Sequence, residues 1–269
     1  MTGSSTGGDP VLTPLNLLLV SISLPDEPAV EPEPEPADPG IPQYLEQNLI
    51  EYFSFENDTD AKITGIINGS ELDASSGNVG ITSEGFIGRA AEATGTGVFQ
   101  KPDENLFRFT DTGFCHFAWI WRPTAIETGR VFTRRATEIT DQYTCTIAST
   151  DKLLMQVRQA PNTLVNLTGT VPLPAGWSWV AWSRNHSTRE LTLWVNGVLD
   201  TSSTPGGNND LTSIDEGQSF SVFNQPNLQS STQFTGRVDE WGVMNAPMTA
   251  EVAAWLYNDG AGRTLSEIT

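Results

Sequence analysis

The chain has 269 residues and a formal net charge of −19, from 14 Lys and Arg against 33 Asp and Glu. Such an excess of negative charge repels phosphate backbones and anionic lipid headgroups, which argues against nucleic acid and against the membrane as partners. No run approaches the roughly 18 apolar residues of a spanning helix, and a composition of 24 Gly, 17 Pro, eight Trp, four Tyr and twelve Phe suits a turn-rich β protein.

Composition changes sharply near residue 42. Residues 1–42 hold nine of the 17 prolines, seven acids and no Lys or Arg, which leaves −12 of the charge on the remainder. Residues 1–9 read as a loose polar terminus. Residues 11–24 are apolar, with Pro14 inside them, and residues 31–36 repeat Glu-Pro. Alternating proline favours an extended polyproline II spacer, and the like charges stretch it further. The apolar segment is too short to bury its own side chains. Val11, Leu12, Leu15, Leu17, Leu18, Leu19, Val20, Ile22 and Leu24 are therefore expected to anchor on a partner surface. No basic residue precedes this segment, unlike a secretory leader, so the expectation is synthesis in the cytoplasm without export. The chain thus divides into an extended arm, 1–42, and a folded domain, 43–269.

Within the domain, alternation and turn residues predict strands at 49–55, 114–121, 143–148, 153–157, 177–182, 191–195, 198–200, 220–223 and 234–243. Asn196-Gly197 marks a type I′ hairpin, and 149–152 a second turn. Near the end, Thr249 caps a helix predicted over 250–257, with Glu251 in its first turn and Gly260 just past it. Many short strands and one late helix predict an all-β antiparallel β-sandwich. Cys115 and Cys145 fall on predicted strands and read as two buried free thiols.

Several segments, in order, resemble the laminin-G-like branch of the concanavalin A-like lectin/glucanase superfamily. Leu-Ile-Glu-Tyr-Phe-Ser-Phe at 49–55 resembles its opening strand. Asp-Ala-Ser-Ser-Gly-Asn at 73–78 and Gly-Phe-Ile-Gly-Arg-Ala at 85–90 resemble the loops that follow. Phe-Ala-Trp-Ile-Trp-Arg-Pro at 117–123, Trp-Ser-Trp-Val-Ala-Trp at 177–182 and Leu-Thr-Leu-Trp-Val-Asn-Gly at 191–197 resemble its central strands. Phe-Thr-Gly-Arg-Val-Asp-Glu-Trp at 234–241 resembles the closing strand, and 248–262 the terminal helix with its glycine stop. One departure is 220–223, where the family often ends the strand on a glycine. The resemblance implies a jelly roll with loops at its rim. It does not fix a function, because members include glycan-binding and adhesion modules, hydrolases and parts of phage virions.

Glycosidases on this fold pair carboxylates along one strand, and their Glu-x-Asp-x-x-Glu pattern does not occur here. The adjacent Asp239 and Glu240 would point to opposite faces of a regular strand, leaving Asp239 to bind a turn and Glu240 in solvent. His116 lies in an aromatic strand and His186 in a turn, without a triad pattern. The chain is therefore read as a binding protein and not an enzyme. The resemblance also admits a calcium ion, with Asn57, Asp58 and Asp239 as the candidate ligands. Alternation puts Cys115, Phe117, Trp119 and Trp121 on one face, and pairs Trp177 with Trp179 opposite Val180 and Trp182. With one buried face per sheet, Trp121, Trp179 and Trp194 are the candidates for exposed stacking on sugar rings. The pair Arg134-Arg135 is too small a patch for nucleic acid.

Together these features lead to the expectation of a bacteriophage structural protein, a capsid decoration or fibre protein located in the virion. Its arm would contact other virion proteins, its domain would meet surface glycans, and analogy suggests a homo-oligomer, a trimer. The rival expectations are an extracellular bacterial glycan-binding adhesin and a glycan hydrolase with an unrecognised site.

Overall fold

The computed structural model describes residues 40–76, 78–102, 105–123, 129–135, 141–159, 163–205 and 218–265. The chain divides into the units Met1–Asp38 and Pro39–Thr269. All described residues belong to the second, so the anchoring side chains expected between residues 11 and 24 lie outside them.

A short helix, α1 (Gln43–Asn48), runs directly into β1 (Leu49–Phe53). Then come β2 (Lys62–Thr64), β3 (Glu71–Ser76), β4 (Val79–Thr82), β5 (Ala90–Ala93), β6 (Val98–Lys101) and β7 (Phe114–Arg122). The second half holds β8 (Gly129–Arg135), β9 (Asp141–Ile147), β10 (Lys152–Gln159), β11 (Thr163–Pro172), β12 (Gly176–Arg184), β13 (Leu191–Val195), β14 (Val198–Ser203), β15 (Ser219–Val222) and β16 (Gly236–Met244). Helix α2 (Ala250–Tyr257) follows β16. One eight-stranded sheet, A, has the order β14-β13-β12-β7-β16-β5-β4, with β1 also paired to β16. The other, B, has the order β11-β10-β9-β8-β15-β6-β3-β2. The named pairings are antiparallel, as the β-sandwich reading requires.

All nine predicted strands are present, most within two residues of their predicted ends. The reading missed α1, β2 to β6, β8 and β11. Segments such as Ala-Ala-Glu-Ala in β5 and Glu-Leu-Asp-Ala-Ser-Ser in β3 have little strand preference of their own. Pairing with β16 and with β6 makes them strands. Asn196 and Gly197 have φ of +49° and +76° between the paired Val195 and Val198, the type I′ turn that the Asn-Gly pair predicts. The Thr249 hydroxyl accepts from the Val252 N–H at 3.3 Å and caps α2. The left-handed residue that stops this helix is Asn258, φ +49°, and not Gly260. At the family's glycine position, Phe223 itself adopts φ +77°, because its ring is held in the core beside Phe99 and Phe234.

The main core lies between the sheets and includes Phe53, Ile120, Phe132, Tyr143, Trp182, Phe220 and Trp241. The outer face of sheet A carries a second apolar layer: Tyr52, Cys115, Phe117, Trp119, Trp179, Ala181, Trp194 and Met244. It packs under Leu45 of α1, under Val252, Ala253 and Leu256 of α2, and under Leu265. Strand β7 therefore feeds two cores: Ala118 and Ile120 the inner, Cys115, Phe117 and Trp119 the outer. Sheet B differs. Its outer face carries hydrogen-bonded polar rows, in which Thr144 Oγ1 donates to Gln156 Oε1 and Gln156 Nε2 donates to Asn166 Oδ1, each at 3.2 Å.

The second layer makes a stability prediction. Trp179→Ala, which empties a site only 1% exposed, is expected to cost about 3–5 kcal/mol in urea unfolding. Leu199→Ala, on the edge strand β14 and 44% exposed, should stay within about 0.5 kcal/mol of the parent.

Candidate functional site

The helical cover on sheet A stops short of one lateral row. Strand register places Trp177 of β12 beside Trp121 of β7, Trp121 beside Arg237 of β16, and Arg237 beside Glu92 of β5. The residues flanking these positions, among them Ile120, Val238, Ala91 and Ala93, point into the inner core, so the row faces outward. All four side chains are half-buried. The Arg237 guanidinium lies 4.5 Å from the centre of the Trp121 ring, a cation–π contact. It is fixed there by Glu92 Oε1 at 2.8 Å and Glu84 Oε2 at 2.5 Å. Phe86 borders the row, edge-on to Trp177 with ring centres 5.9 Å apart and stacked on Trp119 at 3.5 Å. Gly262, φ +71°, passes so close that a Cβ there would lie 2.7 Å from the Phe86 ring and 3.0 Å from the Trp119 indole nitrogen. Trp119 is thus sealed, while Trp121 and Trp177 remain partly open. Half-open indole surface flanked by fixed carboxylates offers a saccharide ring both an apolar plane and hydroxyl acceptors.

Of the three tryptophans read as exposed, only Trp121 belongs to this row. Trp179 and Trp194 are 1% and 6% exposed and lie inside the second layer. Their expected exposure assumed one buried face per sheet, whereas α1 and α2 bury sheet A on both. Sequence reading missed Phe86, Glu92 and Arg237 as members of the site, and placed Trp177 only by its face. Register between β7 and β12, two strands far apart in sequence, brings Trp177 to Trp121.

The expected calcium ligands stand elsewhere, where β16 changes partner. Strand β5 pairs with residues 236–238 of β16 and β1 with residues 241–244, so Asp239 and Glu240 occupy the hand-over. The register with β7 slips between Asp239 and Gly242, and Glu240 has φ +49°, a β-bulge. The inward residues Val238 and Trp241 are consequently three positions apart, and the expected alternation of the two acids is lost. Asp239 does bind a turn: Oδ2 accepts from the Ile87 N–H and Oδ1 from the Glu240 N–H, both at 2.8 Å. Glu240 is not in solvent. It is 3% exposed, and its Oε2 has no hydrogen-bond partner. Burial pushes the Asp239 carboxyl up to about 7 and the Glu240 carboxyl up to about 8.

Asp58, also raised by burial, to about 6, accepts from the Thr64 N–H, and Asn57 is exposed. Arg89 ties the same region together, donating to the carbonyl oxygens of Glu56 and Asp58. Among the described residues, no group of three or more His, Cys, Asp or Glu is placed to hold a metal ion. The Asp239 carboxylate is held as a turn acceptor, with a backbone N–H group on each oxygen.

His116 is a fully buried core residue. The Trp241 indole N–H donates to its Nδ1, and its Nε2 lies 3.1 Å from the Tyr143 hydroxyl, which donates to the Phe107 carbonyl. A proton on Nε2 satisfies all three contacts. Burial lowers its pKa to about 3, so the ring stays neutral in the fold.

These acids set a pH dependence. Folded Glu240 keeps its proton up to about pH 8, whereas in the unfolded chain it releases it near 4.5. Between those values the native state holds the extra proton, so its contribution to stability declines as pH rises. Glu240→Gln, which stays neutral, is expected to match the parent at about pH 4 and to exceed it by about 4–5 kcal/mol at about pH 9, read by urea unfolding.

No curated protein sequence matches the chain. Among solved structures, its fold is similar to the binding domain of botulinum neurotoxin DC in complex with rat synaptotagmin II (13% identity, TM-score 0.60, covering 80% of this chain and 52% of that one). It is also similar to the binding domain of Paraclostridial mosquitocidal protein 1 (14%, TM-score 0.57, 80% and 53%). A third is domain 4 of AbnA, a GH43 extracellular arabinanase from Geobacillus stearothermophilus, in complex with arabinotriose (16%, TM-score 0.57, 80% and 98%). The chain spans about half the length of the two toxin chains and nearly all of the arabinanase domain. At these identities the likeness is one of fold. The family model for the concanavalin A-like lectin/glucanases superfamily matches residues 93–254, more than half of the chain, and the chain belongs to that superfamily.

Proposed function

We propose that this chain is a lectin-like module that binds glycans without chemical turnover, through the outward row Trp177, Trp121, Arg237 and Glu92. The observation that carries the reading is the row itself: two half-open indoles beside a guanidinium fixed by two carboxylates, at the edge of the apolar layer that α1 and α2 cover. The similar arabinanase domain in complex with arabinotriose supports a saccharide as the ligand class. A binding role in place of catalysis is supported by the adjacent acids Asp239 and Glu240, of which Asp239 is committed to closing a turn.

The proposal extends to the setting of the module. The apolar residues 11–24, followed by the Glu-Pro repeat at 31–36, suit an anchor that orders on another protein. A bacteriophage particle, with the arm held by virion proteins and the domain displayed outward, uses both parts. Many copies on one particle would turn weak glycan contacts into firm adhesion.

On a glycan array, the full chain is expected to retain a defined set of saccharides. Trp177→Ala and Trp121→Ala are expected to weaken that binding about tenfold each, with little change in melting temperature. Silence across the array would overturn the glycan reading. Removal of residues 1–42 is expected to abolish incorporation into particles, and normal incorporation of the truncated chain would end the anchoring proposal.

A further inference from the structure

The charges around the row say which saccharides it takes, an inference that rests on the glycan reading above. Arg237 is the cation of the row. Its Nη2 lies 2.5 Å from Glu84, its Nε 2.8 Å from Glu92, and its plane covers Trp121 at 4.5 Å. The Arg237 side chain is 14% exposed, whereas that of Glu84, which flanks it, is 68% exposed. A third carboxylate closes the far end. Gly80 of β4 pairs with Glu92, and a Cβ there would meet Asp60 Oδ1 at 2.8 Å, so Asp60 fills the vacant side-chain position next to Glu92. The neighbouring Arg89 does not tip the balance, because its charge is opposed by the Asp58 carboxyl it acts on, and its guanidinium is held there by the carbonyl oxygens of Glu56 and Asp58.

We infer that this row selects uncharged saccharides and rejects acidic ones. A neutral sugar can lay its C–H face on Trp177 and Trp121 and donate hydroxyl hydrogen bonds to Glu84 and Glu92, which are acceptors only. A sialic or uronic acid would bring its carboxylate against Glu84, Glu92 and Asp60, with a single guanidinium already committed to two of them. Like charges at such distances discriminate by repulsion. The field of the whole chain, at −19, acts in the same direction.

The test uses the full chain on an array of matched pairs: lactose against sialyllactose, and neutral oligosaccharides of hexoses or pentoses against the same chains ended in glucuronate. The expected result is at least about tenfold stronger retention of the neutral member, narrowing as sodium chloride rises to about 0.5 M. The double variant Glu84→Gln with Glu92→Gln keeps an acceptor oxygen for Arg237 while removing both charges. It is expected to bring the two members of each pair within about threefold of each other. An unchanged preference in that variant overturns the inference. Stronger retention of the acidic members, lost in Arg237→Met, also overturns it while leaving the glycan reading standing. If neither class is retained, or if retention ignores Trp177→Ala, the site itself is wrong and the selectivity falls with it.

Discussion

Sheet A is apolar on both faces, and most of what distinguishes this domain follows from that double burial. In β7, Phe-Cys-His-Phe-Ala-Trp-Ile-Trp, alternate residues enter the sandwich core or the layer beneath α1 and α2. A sheet with one wet face has no use for large side chains at every position. Here each outward aromatic must find a roof, and Leu45, Val252, Ala253, Leu256 and Leu265 supply it. The roof has an edge, and the indoles just beyond it keep part of their surface open. The candidate site is thus a boundary effect. It consists of the same kind of residue as the second core, at the place where the cover ends.

The second organising constraint is the change of partner along β16. One strand cannot pair with β5 and β1 in a single uninterrupted ladder without a residue to absorb the switch, and the bulge at Glu240 does so. Asp239 then has a structural task, to hold the turn at 85–88 over the gap. The acid pair resembles catalytic equipment in sequence, but its geometry explains it as the joint between two strands and a loop. Glu240 is the cost of that joint, a buried carboxyl in a left-handed backbone conformation.

The β-sandwich was legible because its central strands announce themselves. Residues 114–122, 176–184, 191–195 and 236–244 are rich in Trp, Phe and Val, and the Asn-Gly turn fixes the hairpin between β13 and β14. The peripheral strands were not legible, since Ala, Ser and Gly segments such as β3 and β5 become strands only through their neighbours. The same locality limited the site. Trp121 could be singled out from its own strand, but its association with Trp177, Arg237 and Glu92 depends on lateral register among β12, β7, β16 and β5. Misplacing Trp179 and Trp194 had a single cause. Residues 250–257 were correctly read as a helix, but nothing in their spacing said which sheet face they would cover.

The two thiols lie in different layers, Cys115 under the helices and Cys145 between the sheets, and both are free and fully buried. Burial raises both thiols well above their ordinary range, which starves them of the thiolate that oxidants and disulfides attack. While the domain stays folded, neither Cys115 nor Cys145 is therefore within reach of an oxidant or of a second thiol.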